Sequence, residues 1–198
     1  VLLKTVPHVG KIAWFRGYQY KLGLNERGYD YSVFLQTLGG MRPTTAVNAF
    51  ATVSSLLEGS GVGQKLDLGP ALRGYLFENP MTKQAIAALW TTRYDVSLKS
   101  RLPDGVQAVD LYGKSHPVDP TLRLTRGPTF FVAPLAGAAE LRSALEKALW
   151  QPEQPFVITN IGARSTSTLD FTLESLLMEE CDVEIALGAG IASHQARL

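Results

Sequence analysis

The chain has 198 residues, of which 45% are hydrophobic and 19% are charged, and its formal net charge is +1. This composition is typical of one large or two small globular domains and excludes a disordered or collagen-like chain. The nearly neutral charge gives no electrostatic reason to expect nucleic acid or an anionic membrane as a partner. No apolar stretch approaches the roughly 20 residues of a membrane-spanning helix, so no membrane span is expected.

The first predicted elements form one strand-loop-helix unit. Residues 9–15 are rich in β-branched and aromatic residues and predict a short strand, whereas the glycine-containing residues 18–40 predict a loop with at most a short turn near 31–35. An amphipathic helix is predicted at residues 43–58, because Pro43 suits its first position and Gly59 its end. Such a unit cannot bury its own faces, so we expect it to belong to a larger α/β domain.

Residues 59–63 (GSGVG) predict a flexible joint and a domain boundary. Glycines of this kind can also cradle a phosphate. That alternative is disfavoured because no strand precedes the segment, no helix follows it, and the Gly-Lys-Ser/Thr ending of a phosphate-binding loop is absent from the sequence.

Beyond Gln64 the hydrophobic period changes to two, which indicates strands. Residues 72–78 and 84–91 predict a hairpin with a turn at 79–82. Further strands are predicted at residues 106–112 and, as a pair, at 122–125 and 129–132. On the hairpin, two groups of residues each share one face: Tyr75 with Phe77, and Ile86 with Ala88 and Trp90. Short strands separated by turn residues predict an antiparallel β-sandwich over residues 64–135.

Residues 136–198 predict a helix followed by more strands. The helix spans about 138–150 and places Leu141, Leu145 and Leu149 at four-residue steps. Strands follow at 156–161, 168–173 and 183–187, and they could complete the sandwich or begin another small β domain. The predicted fold class is therefore mainly β: an antiparallel sandwich preceded by a strand-loop-helix unit and carrying a second helix.

Four passages within roughly residues 9–133 carry a family resemblance through their order and spacing. They are KIAWF at 11–15, YDYSVF at 29–34 leading through GMRP at 40–43 into the helix, LRGYLF at 72–77 with IAALWT at 86–91, and DLYG at 110–113 followed by 122–125 and GPTFF at 127–131. This arrangement resembles the C-terminal part of a clan A glycoside hydrolase, in which an (α/β)8 barrel precedes a β-sandwich. Residues 1–59 would then be the last unit of a truncated barrel.

The resemblance also implies where the chemistry lies. Glycoside hydrolysis needs two carboxyl groups, and in such barrels they follow different strands at the C-terminal face. The resemblance places them after the fourth and seventh strands, upstream of Val1. We therefore expect no catalytic residue, no metal and no cofactor in this chain, and a carbohydrate partner that is bound through the barrel. By analogy alone, the protein would be secreted or periplasmic.

Three residues are candidates for substrate binding. Trp14, at the mouth of the barrel, would offer a flat apolar face to a sugar ring; the alternative is a core residue beneath the last helix. Arg16 and Tyr18 would line the rim or be ordinary surface residues. Glu26 follows an asparagine, as the family's acid/base does, but it lies in a glycine-bounded loop; Asp30 is interpreted as a loop-capping carboxylate.

A different class of function is kept open. Tyr75, Phe77 and Trp90 could form an exposed aromatic row, which would favour a non-catalytic carbohydrate- or protein-binding β-sandwich; their alternation fits a buried face equally well. Trp90 and Trp150 are interpreted as packing residues. The three histidines and Cys181 show no metal-ligand spacing.

Overall fold

A computed structural model describes residues 18–20, 34–37, 40–43, 45–119, 122–163, 169–177, 182–185 and 194–197. Within these ranges the protein is mainly β, with antiparallel sheets and two helices, α1 (Thr45–Leu57) and α2 (Ala138–Lys147). The strands are β1 (Tyr18–Tyr20), β2 (Phe34–Thr37), β3 (Gly40–Pro43), β4 (Gln64–Lys65), β5 (Leu72–Asn79), β6 (Gln84–Thr91), β7 (Val96–Leu98), β8 (Gln107–Val109), β9 (Ser115–His116), β10 (Arg123–Leu124), β11 (Thr129–Pro134), β12 (Trp150–Pro152), β13 (Phe156–Ala163), β14 (Leu169–Ser175), β15 (Asp182–Ile185) and β16 (His194–Arg197).

Two antiparallel sheets organise the described core. The central sheet has the order β4-β5-β6-β11-β8-β9, and the small sheet has the order β10-β7-β12. The pairs β13–β14 and β15–β16 form separate antiparallel ribbons. Near the start of the chain, β2 pairs with β1 in parallel and with β3 antiparallel.

Strand β6 explains why the central sheet is buried on both faces. Its side chains alternate between two apolar clusters: Ala85, Ala87 and Leu89 belong to one cluster, and Ile86 and Ala88 belong to the other. All five are completely buried. A strand with apolar residues on both faces needs a covering layer on each side.

The larger cluster joins one face of the central sheet to α2 and the small sheet. Leu141 and Leu145 of α2 belong to it. Trp150 of β12 meets Phe131 of β11 edge to face, with ring centroids 6.4 Å apart, and its indole Nε1 donates a hydrogen bond to the Leu145 carbonyl at 3.1 Å. The buried indole therefore keeps a polar partner while its ring adds apolar area to the core.

The smaller cluster joins the opposite face to the end of α1. Leu57 is buried there with Phe77 and Phe130 of the central sheet. The following segment, residues 59–63, is anchored rather than free: the Ser60 hydroxyl donates to the Leu57 carbonyl at 2.7 Å, and a Cβ on Gly63 would lie 2.5 Å from the Phe77 ring. Close packing requires glycine at that position.

The structure confirms several sequence predictions and corrects others near the first helix. Helix α1 and the β5–β6 hairpin lie where they are expected. The loop predicted at residues 18–40 is wrong in part, because it contains β1, β2 and the start of β3. Pro43 is the last residue of β3, and the helix begins two residues later, at Thr45. The strand predicted at residues 9–15 lies outside the described residues.

Two further predictions fail because long-range pairing overrides the local pattern. Residues 122–125 and 129–132 do not pair with each other: β10 pairs with β7, whereas β11 pairs with β6 and β8. Helix α2 ends at Lys147, since Ala148 is extended and Trp150 begins β12. Leu149 is consequently 59% exposed and does not extend the buried stripe of Leu141 and Leu145.

A buried hydroxyl in β6 gives a test of this core. Thr91 is 2% exposed, and its Oγ1 has no hydrogen-bond partner among the described residues. Replacing it in Thr91→Val should raise the free energy of unfolding by about 1–3 kcal/mol, because a buried polar atom without a partner carries that penalty. Urea unfolding measures the change.

The adjacent threonine is the matched control. The Thr92 hydroxyl lies within 3.2 Å of the Pro70 and Ala71 carbonyls, to which it donates, so Thr92→Val should lower stability by about 1 kcal/mol. Equal effects of the two substitutions would contradict the assignment of the unpaired hydroxyl to Thr91.

Candidate functional site

A cleft of about 550 Å³ opens beside the turn between β8 and β9. Its other wall is the segment that contains β10 and leads into β11. Both apolar and polar groups line the cleft, among them Asp110, Tyr112, His116, Arg123, Thr125 and Pro128. A volume of this size falls within the range of about 300–1,000 Å³ of small-molecule sites.

Asp110 fixes the turn that forms the first wall. Its Oδ1 accepts hydrogen bonds from the backbone N–H groups of Tyr112 and Lys114, each at 2.9 Å, and its own N–H donates to the Lys114 carbonyl at 2.9 Å. Gly113 has a φ of +87°, the left-handed conformation that favours glycine. The turn is therefore held on both sides, and it presents Tyr112 with 55% of its surface exposed.

Asp110 also pairs with a histidine inside the cleft. Its Oδ2 lies 3.0 Å from His116 Nε2, and the two side chains are 30% and 34% exposed. Partial burial by itself raises the pKa of the Asp110 carboxyl. The hydrogen bonds from His116, Lys114 and Tyr112, together with the charge of the histidine, outweigh it, so the pKa lies below its ordinary value. Asp110 is thus ionised at neutral pH and acts as a hydrogen-bond acceptor.

Arg123 closes the opposite side of the cleft, but its charge is already balanced. Its Nε lies 3.1 Å from Asp95 Oδ2, and its Nη2 pairs with the Glu153 carboxylate. Among the described residues that line the cleft, Asp110 is the one carboxylate. The two opposed carboxyl groups of glycoside hydrolysis are therefore not offered by these residues, and the arrangement is suited to binding.

Two of the three substrate-binding residues predicted from the sequence lie outside the described residues. Trp14 and Arg16 are outside the described residues, and Tyr18 is the first residue of β1. Glu26 and Asp30, the two loop carboxylates considered above, also lie outside the described residues, as do Cys181 and His8.

The aromatic row considered for a binding module does not form an exposed platform. Phe77 is completely buried in the smaller cluster. Tyr75 and Trp90 are partly buried and stack on each other, with ring centroids 6.0 Å apart and an interplanar angle of 20°. Trp150 is buried against Phe131. The burial of Trp150 agrees with its interpretation as a packing residue, whereas Trp90 is partly exposed and belongs to neither apolar cluster.

Sequence reasoning missed the residues that the cleft brings together. The sequence pattern predicts one strand over residues 106–112, whereas β8 ends at Val109 and a turn begins at Asp110. The pattern Asp110-Leu-Tyr-Gly113, with a histidine three residues after the glycine, is the signal that was available. An aspartate that accepts backbone N–H groups two and four residues ahead, followed by a left-handed glycine, is typical of a tight turn.

Other site classes find no support in the described part of the chain. No group of three or more His, Cys, Asp or Glu residues there is placed to hold a metal ion. Neither described helix has the length and apolar character needed to cross a membrane. Comparison of the chain with protein-family models, with curated proteins and with solved structures found no match.

The lowered pKa of Asp110 predicts a pH-dependent contribution to stability. Asp110→Asn can still accept the backbone N–H groups but loses the charge beside His116. Because the pKa of Asp110 is lower in the folded than in the unfolded state, the stabilisation is fully present above the unfolded value of about 3.9 and is lost as pH falls through the folded value. Unfolding free energies of the two proteins should differ at pH 6 and converge as the pH falls through the folded pKa of Asp110.

The control for this experiment is Asp104→Asn. Asp104 forms an exposed ion pair with Arg101 at 2.7 Å, and such pairs contribute little. A difference at pH 6 that is no larger for Asp110→Asn than for Asp104→Asn would contradict the structural role of Asp110.

Proposed function

We propose that the chain forms the C-terminal part of a glycoside hydrolase, with a β-sandwich made of the central and small sheets bracing the end of an (α/β)8 barrel. The catalytic carboxyl groups would come from barrel strands upstream of Val1. The proposal rests on the four passages that resemble clan A enzymes and on the way α1 is attached to the central sheet.

The attachment of α1 to the central sheet is the main observation that supports the bracing role. Asn79 is completely buried at the end of β5. Its Nδ2 donates hydrogen bonds to the carbonyls of Leu56 at 3.2 Å and Glu58 at 2.7 Å. Its Oδ1 accepts from the N–H groups of Met81 at 3.1 Å and Thr82 at 3.2 Å. One side chain thereby ties the end of the helix to the turn of the hairpin.

The chemistry of a helix end explains why this attachment is firm. The last carbonyls of an α-helix lack partners within the helix and carry its partial negative charge. Helix α1 has no basic residue in its last turn, so the Asn79 amide supplies donors that the helix itself does not. Because this end of α1 is held against the central sheet, an element that packs along the rest of the helix would also be held in a fixed position relative to the sheet.

The first turns of α1 suit a second body packed against them. Phe50 is 49% exposed, and Val47 is partly exposed, whereas Leu57 at the other end is buried against the central sheet. The apolar stripe of the helix thus continues beyond the part that the sheet covers. In the proposed enzyme this part would face the neighbouring barrel elements.

The direct test of the proposed activity uses the longer reading frame. A whole barrel takes about 250 residues, so the polypeptide should be extended upstream by about 200 residues of strand-helix repeats. We expect the extended protein to hydrolyse aryl glycosides and the 198-residue chain to be inactive. An upstream sequence without such repeats, or hydrolysis by the 198-residue chain itself, would refute the proposal.

The bracing role has its own test in Asn79→Ala. The substitution leaves buried backbone groups without partners, so we expect a loss of about 1–3 kcal/mol of unfolding free energy. In the extended protein the temperature of heat inactivation should fall together with that of unfolding. Asn48→Ala, at an exposed position on the same helix, is the control and should be neutral or slightly stabilising. Activity that survives where the sheet has melted would contradict bracing.

A further inference from the structure

We propose that the cleft beside the β8–β9 turn binds a neutral carbohydrate, with the Tyr112 ring against an apolar face of the sugar and the Asp110–His116 pair hydrogen-bonded to its hydroxyl groups. If the cleft is an accessory subsite of a glycosidase, the proposal rests on the proposed function. Carbohydrate binding by the cleft itself depends only on the residues that line it.

Tyr112 provides the apolar surface that a sugar ring needs. Its side chain lines the cleft and is 55% exposed, although large aromatic residues are usually covered. The backbone that carries it is already fixed by the two hydrogen bonds to Asp110 and by the left-handed Gly113. A ligand would therefore not have to order this turn on binding, which lowers the entropic cost of association.

Asp110 and His116 provide the polar contacts. An ionised carboxylate can accept about four hydrogen bonds. Backbone N–H groups of Tyr112 and Lys114 and the ring of His116 use three of these positions, which leaves one for a ligand hydroxyl. Thr125 and Thr129 also line the cleft. Their hydroxyl groups can donate as well as accept, which matches the mixed hydrogen bonding of sugar hydroxyls.

The charge distribution selects against an anionic ligand. Arg123 lines the cleft, but Asp95 and Glu153 both pair with it. Among the described residues that line the cleft, Arg123 and His116 both face carboxylates, and Asp110 is ionised. A phosphate or a uronate would meet this carboxylate without a free cation from Arg123, whereas a neutral polyol would meet no such repulsion.

The experiment is a titration of the full 198-residue chain, followed by ¹H–¹⁵N NMR. The probes are cellotetraose, xylotetraose and maltotetraose, with inorganic phosphate and calcium chloride as separate arms. We expect at least one oligosaccharide to shift the amide signals of Tyr112, Gly113 and Lys114. Tyr112→Ala should weaken that binding by about tenfold, which corresponds to about 1.4 kcal/mol.

Leu149→Ala is the matched control. Leu149 is an exposed apolar residue, like Tyr112, but it lies between α2 and β12, outside the cleft. It should leave binding unchanged, and both variants should keep the dispersed spectrum of the folded chain. The proposal is overturned if no oligosaccharide binds at about 10 mM, ten times a dissociation constant of about 1 mM. It is equally overturned if phosphate or calcium alone shifts these signals, or if Tyr112→Ala binds as tightly as the original chain.

These outcomes separate the cleft from the proposed enzyme. If the extended protein hydrolyses aryl glycosides but no oligosaccharide binds at Tyr112, the proposed carbohydrate site is refuted and the proposed enzyme is not. Binding at Tyr112 by a protein whose extended form is inactive refutes the enzyme and identifies a carbohydrate-binding module.

Discussion

The central sheet must be covered on both faces, because β6 places completely buried side chains on each of them. This constraint organises the described core. Helix α1 covers one face with its last turn, and α2 with the small sheet contributes the cluster on the other. The glycine at position 63 is part of the same constraint, since a larger residue would collide with Phe77. Removing either cover would expose a surface that no other described element could bury.

Two turns of this sheet, one between β5 and β6 and the other between β8 and β9, use related chemistry for different purposes. Asn79 and Asp110 each accept two backbone N–H groups through one side-chain oxygen. Asn79 is neutral and can also donate, so it can be completely buried while it satisfies the helix carbonyls. Asp110 is charged and partly exposed, and its second oxygen faces His116. The Asn79 amide therefore makes all of its hydrogen bonds within the protein, whereas the Asp110 carboxylate can still accept a hydrogen bond from a ligand.

The sequence predicted elements whose signals are local and missed those that depend on distant pairing. Helix α1 was predictable because its apolar stripe ends at Gly59, which adopts the left-handed conformation. The end of α2 was not, because a four-residue periodicity extended it through Leu149, while Trp150 pairs with a strand far earlier in the chain. The pairing of Asp110 with His116 in the cleft was missed for the same reason. Asp110 and His116 meet only because β8 and β9 pair with Val109 opposite Ser115. Hairpin register of this kind is set by the turn.

The burial of β6 on both faces has a consequence for the chain during its synthesis. Residues 84–91 contain no charge and no proline, and a segment of this composition, when exposed, can stack with copies of itself in aggregates. Strand β6 pairs with β5 on one edge and with β11 on the other. Because β5 is synthesised before β6 and β11 much later, the second edge of β6 has no partner during that interval. Lys83 and Arg93 flank the segment with positive charge, which opposes association between nascent chains.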